Sequence, residues 1–159
     1  EHAEVATLMA SGGAEICLLP EPNVTAVQLQ NADTRIALDM TKEWEKVAEG
    51  KLAMGCLIAT KDYIDNNADS LKAFLKEYKA SVDAVNENTD EICNLIAEKG
   101  IVPKAPVAKK AIPNANIVCY TGAEMKQALS SCYNVLFNQN AKIIGGQMPG
   151  DDFYVDTNA

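Results

Sequence analysis

Few residues in this chain are placed to do chemistry, and the sharpest of them is Glu21, held between two prolines in the stretch A-E-I-C-L-L-P-E-P-N-V-T at 14–25. Pro22 fixes its own φ and pushes Glu21 away from the α region, so backbone sets the position of this carboxylate. Asn23 and Thr25 follow, and either can cap a helix whose free N–H groups face the same side as Glu21. With Ile16–Leu19 read as a short buried strand, Glu21 sits where open α/β sheets hold their ligands. The same residues also read as a proline-bounded turn that stops a strand and leaves Glu21 solvated. Catalysis would need Glu21 as general base with Cys56 or Cys119 as nucleophile, yet the sole histidine, His2, is nearly terminal. The five cysteines (17, 56, 93, 119 and 132) lie mostly in apolar runs, and none forms a C-x-x-C pair. We read them as core thiols, with neither a metal site nor a cofactor expected. Trp44, the one tryptophan, reads either as a stacking wall for a ligand or as an edge-of-core side chain.

Chain-wide properties narrow the partner classes. The 159 residues suffice for one hydrophobic core, or for two incomplete pieces that complete themselves with something else. A formal net charge of −8 makes nucleic acid and anionic membrane poor partners, since no Lys/Arg block offsets it. No stretch has the length needed to span a bilayer, and no signal-peptide pattern is visible.

The elements that must position Glu21 follow from periodicity. A helix is expected from His2 to Ser11, stopped at Gly12, then the strand Ile16–Leu19 and a short helix or turn through Val24, Val27 and Leu29. Arg35–Met40 reads as a second strand, and Thr41–Val47 as a short helix or loop closed by Gly50. Leu52–Thr60, the longest apolar run, reads as the best strand, with Gly55 marking a bulge, a bend or a close backbone approach. Leu71, Phe74, Leu75, Tyr78, Val82 and Val85 form one face of a long amphipathic helix. A second helix, through Ile92, Leu95 and Ile96, ends at Gly100, and the two are expected to form an antiparallel pair covering a sheet. Pro103 and Pro106 start a modest helix that Pro113 stops, and Asn116–Tyr120 is a fourth strand or extended segment. Thr121 and Glu124 form a capping box ahead of a strong helix. The tail at Phe153–Val155 is expected to pack back as a strap.

In this order the segments resemble the C-terminal half of ABC-importer substrate-binding proteins of the nitrate, taurine, alkanesulfonate and thiamine-pyrimidine type. The resemblance is carried by H-A-E-V-A-T-L-M-A-S-G-G-A-E-I-C-L-L-P-E-P (2–22), R-I-A-L-D-M-T-K-E-W-E-K (35–46), M-G-C-L-I-A-T-K-D-Y (54–63), L-K-A-F-L-K-E-Y (71–78) and I-G-G-Q-M-P-G-D-D-F-Y (144–154). It implies part of an α/β, type II periplasmic-binding-protein fold. Residues 1–55 would belong to the second lobe, and 56–159 would return through the first lobe with its helical hairpin and C-terminal helix. Implied ligand contacts are Pro20, Glu21, Pro22, Asn23 and Thr25, with a hinge at Met54, Gly55 and Cys56. The implied function is non-enzymatic capture of a small solute (sulfonate, nitrate or pyrimidine-like) and its delivery to an ABC permease. The implied location is extracytoplasmic, in the periplasm or as a cell-surface lipoprotein. Family members need roughly twice this length, so a missing N-terminal half of the same protein is a further expected partner. The alternative is a cytosolic ligand-sensing domain, or a pyrimidine-synthesis enzyme domain, of the same fold.

Overall fold

The computed structural model describes residues 1–155, and the expected α/β fold is not what they form. Helix is the only regular structure among the described residues, and no strand or sheet is present. The chain divides into two compact units, each assembled from two stretches: 1–36 with 75–119, and 37–74 with the chain from Tyr120 onward. The boundary expected between residues 55 and 56 thus falls inside the second unit.

The first unit holds α1 (His2–Ala10) and α2 (Asn23–Gln30), which pack together. The long helix α5 (Ala68–Asn86) runs into it and is followed by α6 (Asp90–Glu98) and α7 (Ala105–Ala111). Helix α1 is closed at its start by a reciprocal box between Glu1 and Glu4 and ends at Gly12, with φ at 76°, a backbone state that glycine adopts without steric cost. The core is small: Cys93, Val102, Val107, Ala108 and Ile112 are buried together, with Ala26, Val85, Ile96, Ala97 and Ala105 against them. Helix α6 therefore packs on α7, where the sequence led us to expect a hairpin with α5 laid over a sheet.

A polar clasp fixes that packing. Asn88 adopts φ 52° in the α5–α6 turn, a left-handed state that asparagine tolerates better than most residues. Its side-chain amide donates to the Lys109 carbonyl at 3.0 Å, and its amide oxygen accepts from the Cys93 thiol at 3.3 Å. The Lys109 ammonium donates back to the Asn88 carbonyl and pairs with Asp90 at 2.9 Å.

The second unit contains α3 (Met40–Val47), α4 (Lys61–Asn66) and α8 (Gly122–Asn140). Asp39 caps α3 by accepting from Thr41 and Lys42 N–H, and Thr60 caps α4 by accepting from Tyr63 N–H. Thr121 stands at the N-cap of α8 but makes no side-chain capping bond, so the expected capping box is not formed. Gly50, with φ at 88°, comes so close to α8 that a Cβ there would lie 2.6 Å from the Ser131 Cβ.

All four expected strands prove to be irregular, unpaired chain. Among the described residues, no backbone-to-backbone hydrogen bond involves 14–19, 35–38, 51–59 or 117–120. Several of their apolar side chains face water: Ile16 is 91%, Met54 82% and Ile58 83% exposed, while Leu19, Leu52 and Ile117 are half-buried. The physical reason is that an apolar, glycine- or proline-bounded run sets only the local preference. A strand also needs a second strand alongside to take its N–H and C=O groups in a ladder. Among the described residues these runs have only isolated side-chain partners, Asn86 at the Ile117 carbonyl and Cys132 at the Ala53 carbonyl.

Candidate functional site

The Pro20–Thr25 turn is ordered from the sequence upward. Pro20 ends the irregular segment, and its carbonyl accepts from Asn23 N–H at 3.0 Å and Val24 N–H at 3.3 Å. The Pro22 carbonyl accepts from Ala26 N–H at 3.0 Å, which starts α2. Pro20, Glu21, Pro22 and Asn23 are half-buried, whereas Thr25 is buried at 5% exposure.

Glu21 does the capping that Asn23 and Thr25 were expected to do. Its Oε2 accepts from Thr25 N–H at 3.1 Å and its Oε1 accepts from the Thr25 hydroxyl at 3.0 Å. The carboxylate therefore satisfies one of the free N–H groups in the first turn of α2, and a negative charge there suits the positive end of the helix dipole. A carboxylate offers about four acceptor positions; Thr25 takes two, and no other partner occupies the rest among the described residues. The turn thus brings Glu21 and Thr25, four residues apart, together as a closed pair with acceptor capacity left.

The expected hinge lies in the other unit. Met54 and Cys56 are exposed, and nothing stands within 4 Å of where a Gly55 Cβ would be. No close approach calls for glycine at 55. One contact ties this segment to α8, where the Cys132 thiol reaches the Ala53 carbonyl at 3.9 Å.

The thiols divide by environment. Cys93 and Cys132 are buried as expected of core cysteines, Cys17 and Cys119 are half-buried, and Cys56 is exposed because the 51–60 segment lies open. His2 sits at the exposed start of α1, and no hydrogen bond joins it to Cys56 or Cys119 among the described residues. Within the same limits, no group of three or more His, Cys, Asp or Glu side chains is arranged to hold a metal ion. Trp44 is half-buried with its indole N–H buried and unpaired, which favours the edge-of-core account over a free stacking wall.

Two polar arrangements were not anticipated from the sequence. One is the Asn88–Lys109–Asp90 clasp. The other lies on α8, where Lys126, Ser130 and Tyr133 form a stripe that receives Asp151, Tyr154 and Phe153. The i, i+4, i+7 spacing of the stripe was the available signal, but no local rule matches it to a tail some 20 residues away. Burial raises the Tyr133 phenol above its ordinary value of 10.0, and the Lys126 ammonium beside Asp151 holds that carboxyl below 3.8.

No helix among the described residues is long and apolar enough to cross a membrane. Comparison with protein-family models, with curated proteins and with solved structures gives no match.

Proposed function

We propose that this chain works by binding, in the solute-capture component of an ABC importer, and that it takes part in handing a small solute to a membrane permease outside the cytoplasm. The reading does not rest on a two-lobed α/β cleft, which the helical architecture replaces. The observation that carries it is the half-buried Glu21 carboxylate, fixed by prolines and by Thr25 at a helix start while retaining unused acceptor capacity. Such a group suits a solute that donates hydrogen bonds, an aminopyrimidine above a sulfonate or nitrate, because a fixed negative charge repels an anion.

A second feature supports work in association with other polypeptides. Among the described residues, large apolar side chains stand exposed on the open segments, including Ile16, Leu18, Leu38, Met54 and Ile58. Apolar side chains grouped on one open segment, Ile16 with Leu18 or Met54 with Ile58, offer contacts to another polypeptide. The permease and further sequence of the same protein are the partners this reading expects.

Calorimetric titration of the protein with an aminopyrimidine, an alkanesulfonate and nitrate tests the reading. Saturable binding of the aminopyrimidine that Glu21→Gln weakens at least about tenfold is the expected result. Absence of binding to all three, alone and with the permease present, would refute it.

A further inference from the structure

The segment that closes the second unit is held in an unusual way. Beyond α8 a 3-10 helix at Ala141–Ile144 passes into the six residues G-G-Q-M-P-G at 145–150, which lead to a further short 3-10 turn at Asp151–Phe153. Gly145 and Gly146 have φ at 83° and 90°, and neither has a heavy atom within 4 Å of its Cβ position. Their amides donate to the Lys142 and Ala141 carbonyls at 3.3 and 2.8 Å, so the linker is capped where it leaves the preceding turn, while its glycines meet no side chain there.

Among the described residues, the ion pair, hydrogen bond and ring contact that the returning segment makes on α8 fall on one stripe. The Lys126 ammonium pairs with Asp151 at 2.8 Å and sits 5.7 Å from the centre of the Tyr154 ring. The Ser130 hydroxyl and the Tyr154 phenol lie 3.3 Å apart. The Tyr133 and Phe153 rings meet edge-on at 6.4 Å, and Phe153 meets Tyr154 edge-on at 5.3 Å. Lys126, Ser130 and Tyr133 are successive positions on one helix face, so cation, hydroxyl and aromatic ring are read in line by carboxylate, phenol and aromatic ring.

The hold is specific but shallow. Phe153 remains 51% exposed, and the Asp151 side chain 93% exposed. An exposed ion pair contributes little and is screened by salt, and few apolar atoms are taken from water. Segments with few buried contacts open locally, well before the fold as a whole does. A well-matched set of contacts on a segment that stays largely exposed has the properties of a part that detaches and returns.

We propose that residues 150–155 form a latch on α8 that opens and closes in the folded protein, covering the Lys126–Ser130–Tyr133 stripe when shut and presenting it when open. The closed state is set by the Lys126–Asp151 pair and the Tyr133–Phe153 contact together. Opening needs no rearrangement of α8 itself.

Amide hydrogen exchange of the whole protein tests this. The Phe153 and Tyr154 N–H groups, bonded to the Gly150 and Asp151 carbonyls at 3.1 and 3.2 Å, report on the latch, and interior α8 amides report on the helix. Measurable protection at 153 and 154 is expected, weaker than that of α8 by at least about a hundredfold. Phe153→Ala should lower it by about tenfold and Asp151→Asn by about twofold, both leaving α8 unchanged. Exchange at 153 and 154 at the α8 rate, equal loss of α8 protection in both variants, or no protection at 153 and 154 in the parent protein would each overturn the proposal.

Discussion

Removing the Glu21 carboxylate should unfasten α2, and the structure sets the size of the effect. Glu21→Ala deletes a helix-start acceptor, a loss of about 1 kcal/mol, and a negative charge at the positive end of the helix, about 0.3–1 kcal/mol. It also strands the hydroxyl of Thr25, a residue only 5% exposed, which adds about 1 kcal/mol. The expected total is about 2–3 kcal/mol. Thr25→Val removes the same hydroxyl-to-carboxylate bond but leaves no buried donor unpaired, so it should cost about 1 kcal/mol or less. Because the two side chains share that bond, the double variant should be less destabilised than the sum by about 1 kcal/mol. Native-state exchange of the α2 amides is the suitable assay, with a loss of about thirtyfold or more in protection for Glu21→Ala. Additive effects in the double variant, or less than about a threefold change in Glu21→Ala, would show that the carboxylate does not hold this helix. Glu21 would then be free to act solely on a solute.

Other consequences can be checked independently. Asn88→Ala should destabilise the first unit by about 2–3 kcal/mol through the lost bonds to Lys109 and Cys93 together with an alanine held at positive φ. Asn88→Gly, which relieves only the backbone, should recover about 1 kcal/mol of that in urea titration. Gly50→Ala places a Cβ 2.6 Å from the Ser131 Cβ on a backbone at φ 88°, so thermal unfolding of the second unit should shift downward by several degrees, for a loss above about 1 kcal/mol. Under native conditions a maleimide should label Cys56 first and Cys17 and Cys119 more slowly. Cys93 and Cys132 should react only on unfolding, as read by peptide mass spectrometry.

How legible this protein is in its sequence depends on the range of the interactions. The helix starting near His2 and ending at Gly12, the long apolar face from Leu71 to Val85, the proline-started helix at Ala105–Ala111 and the helix after Thr121 all appear close to where periodicity placed them. The packing of Phe153 back onto the chain was also anticipated, although it forms a 3-10 turn where an extended strap was expected. Helix bonds join residues four apart, so the information lies within the segment. The capping group of α2 was misassigned within that local range, because the helix already begins at Asn23, which puts Asn23 and Thr25 inside its first turn and leaves Glu21 ahead of it to accept from Thr25.

The strands failed for the opposite reason. Ile16–Leu19, Arg35–Met40, Leu52–Thr60 and Asn116–Tyr120 have strand-like composition, but whether such a run joins a sheet depends on a partner elsewhere in space. Only the tertiary structure could decide that, and it leaves Ile16, Met54 and Ile58 in water. It also decided that α6 lies on α7 through Asn88 and Lys109, and that Lys126, Ser130 and Tyr133 meet Asp151, Tyr154 and Phe153. The sequence by itself determined where helices begin and end and which turn carries a rigid carboxylate, since those rest on bonds between near neighbours. What each helix packs on, which thiols are covered and which apolar runs stay unpaired are settled by contacts between residues far apart in the chain, where no local preference reaches.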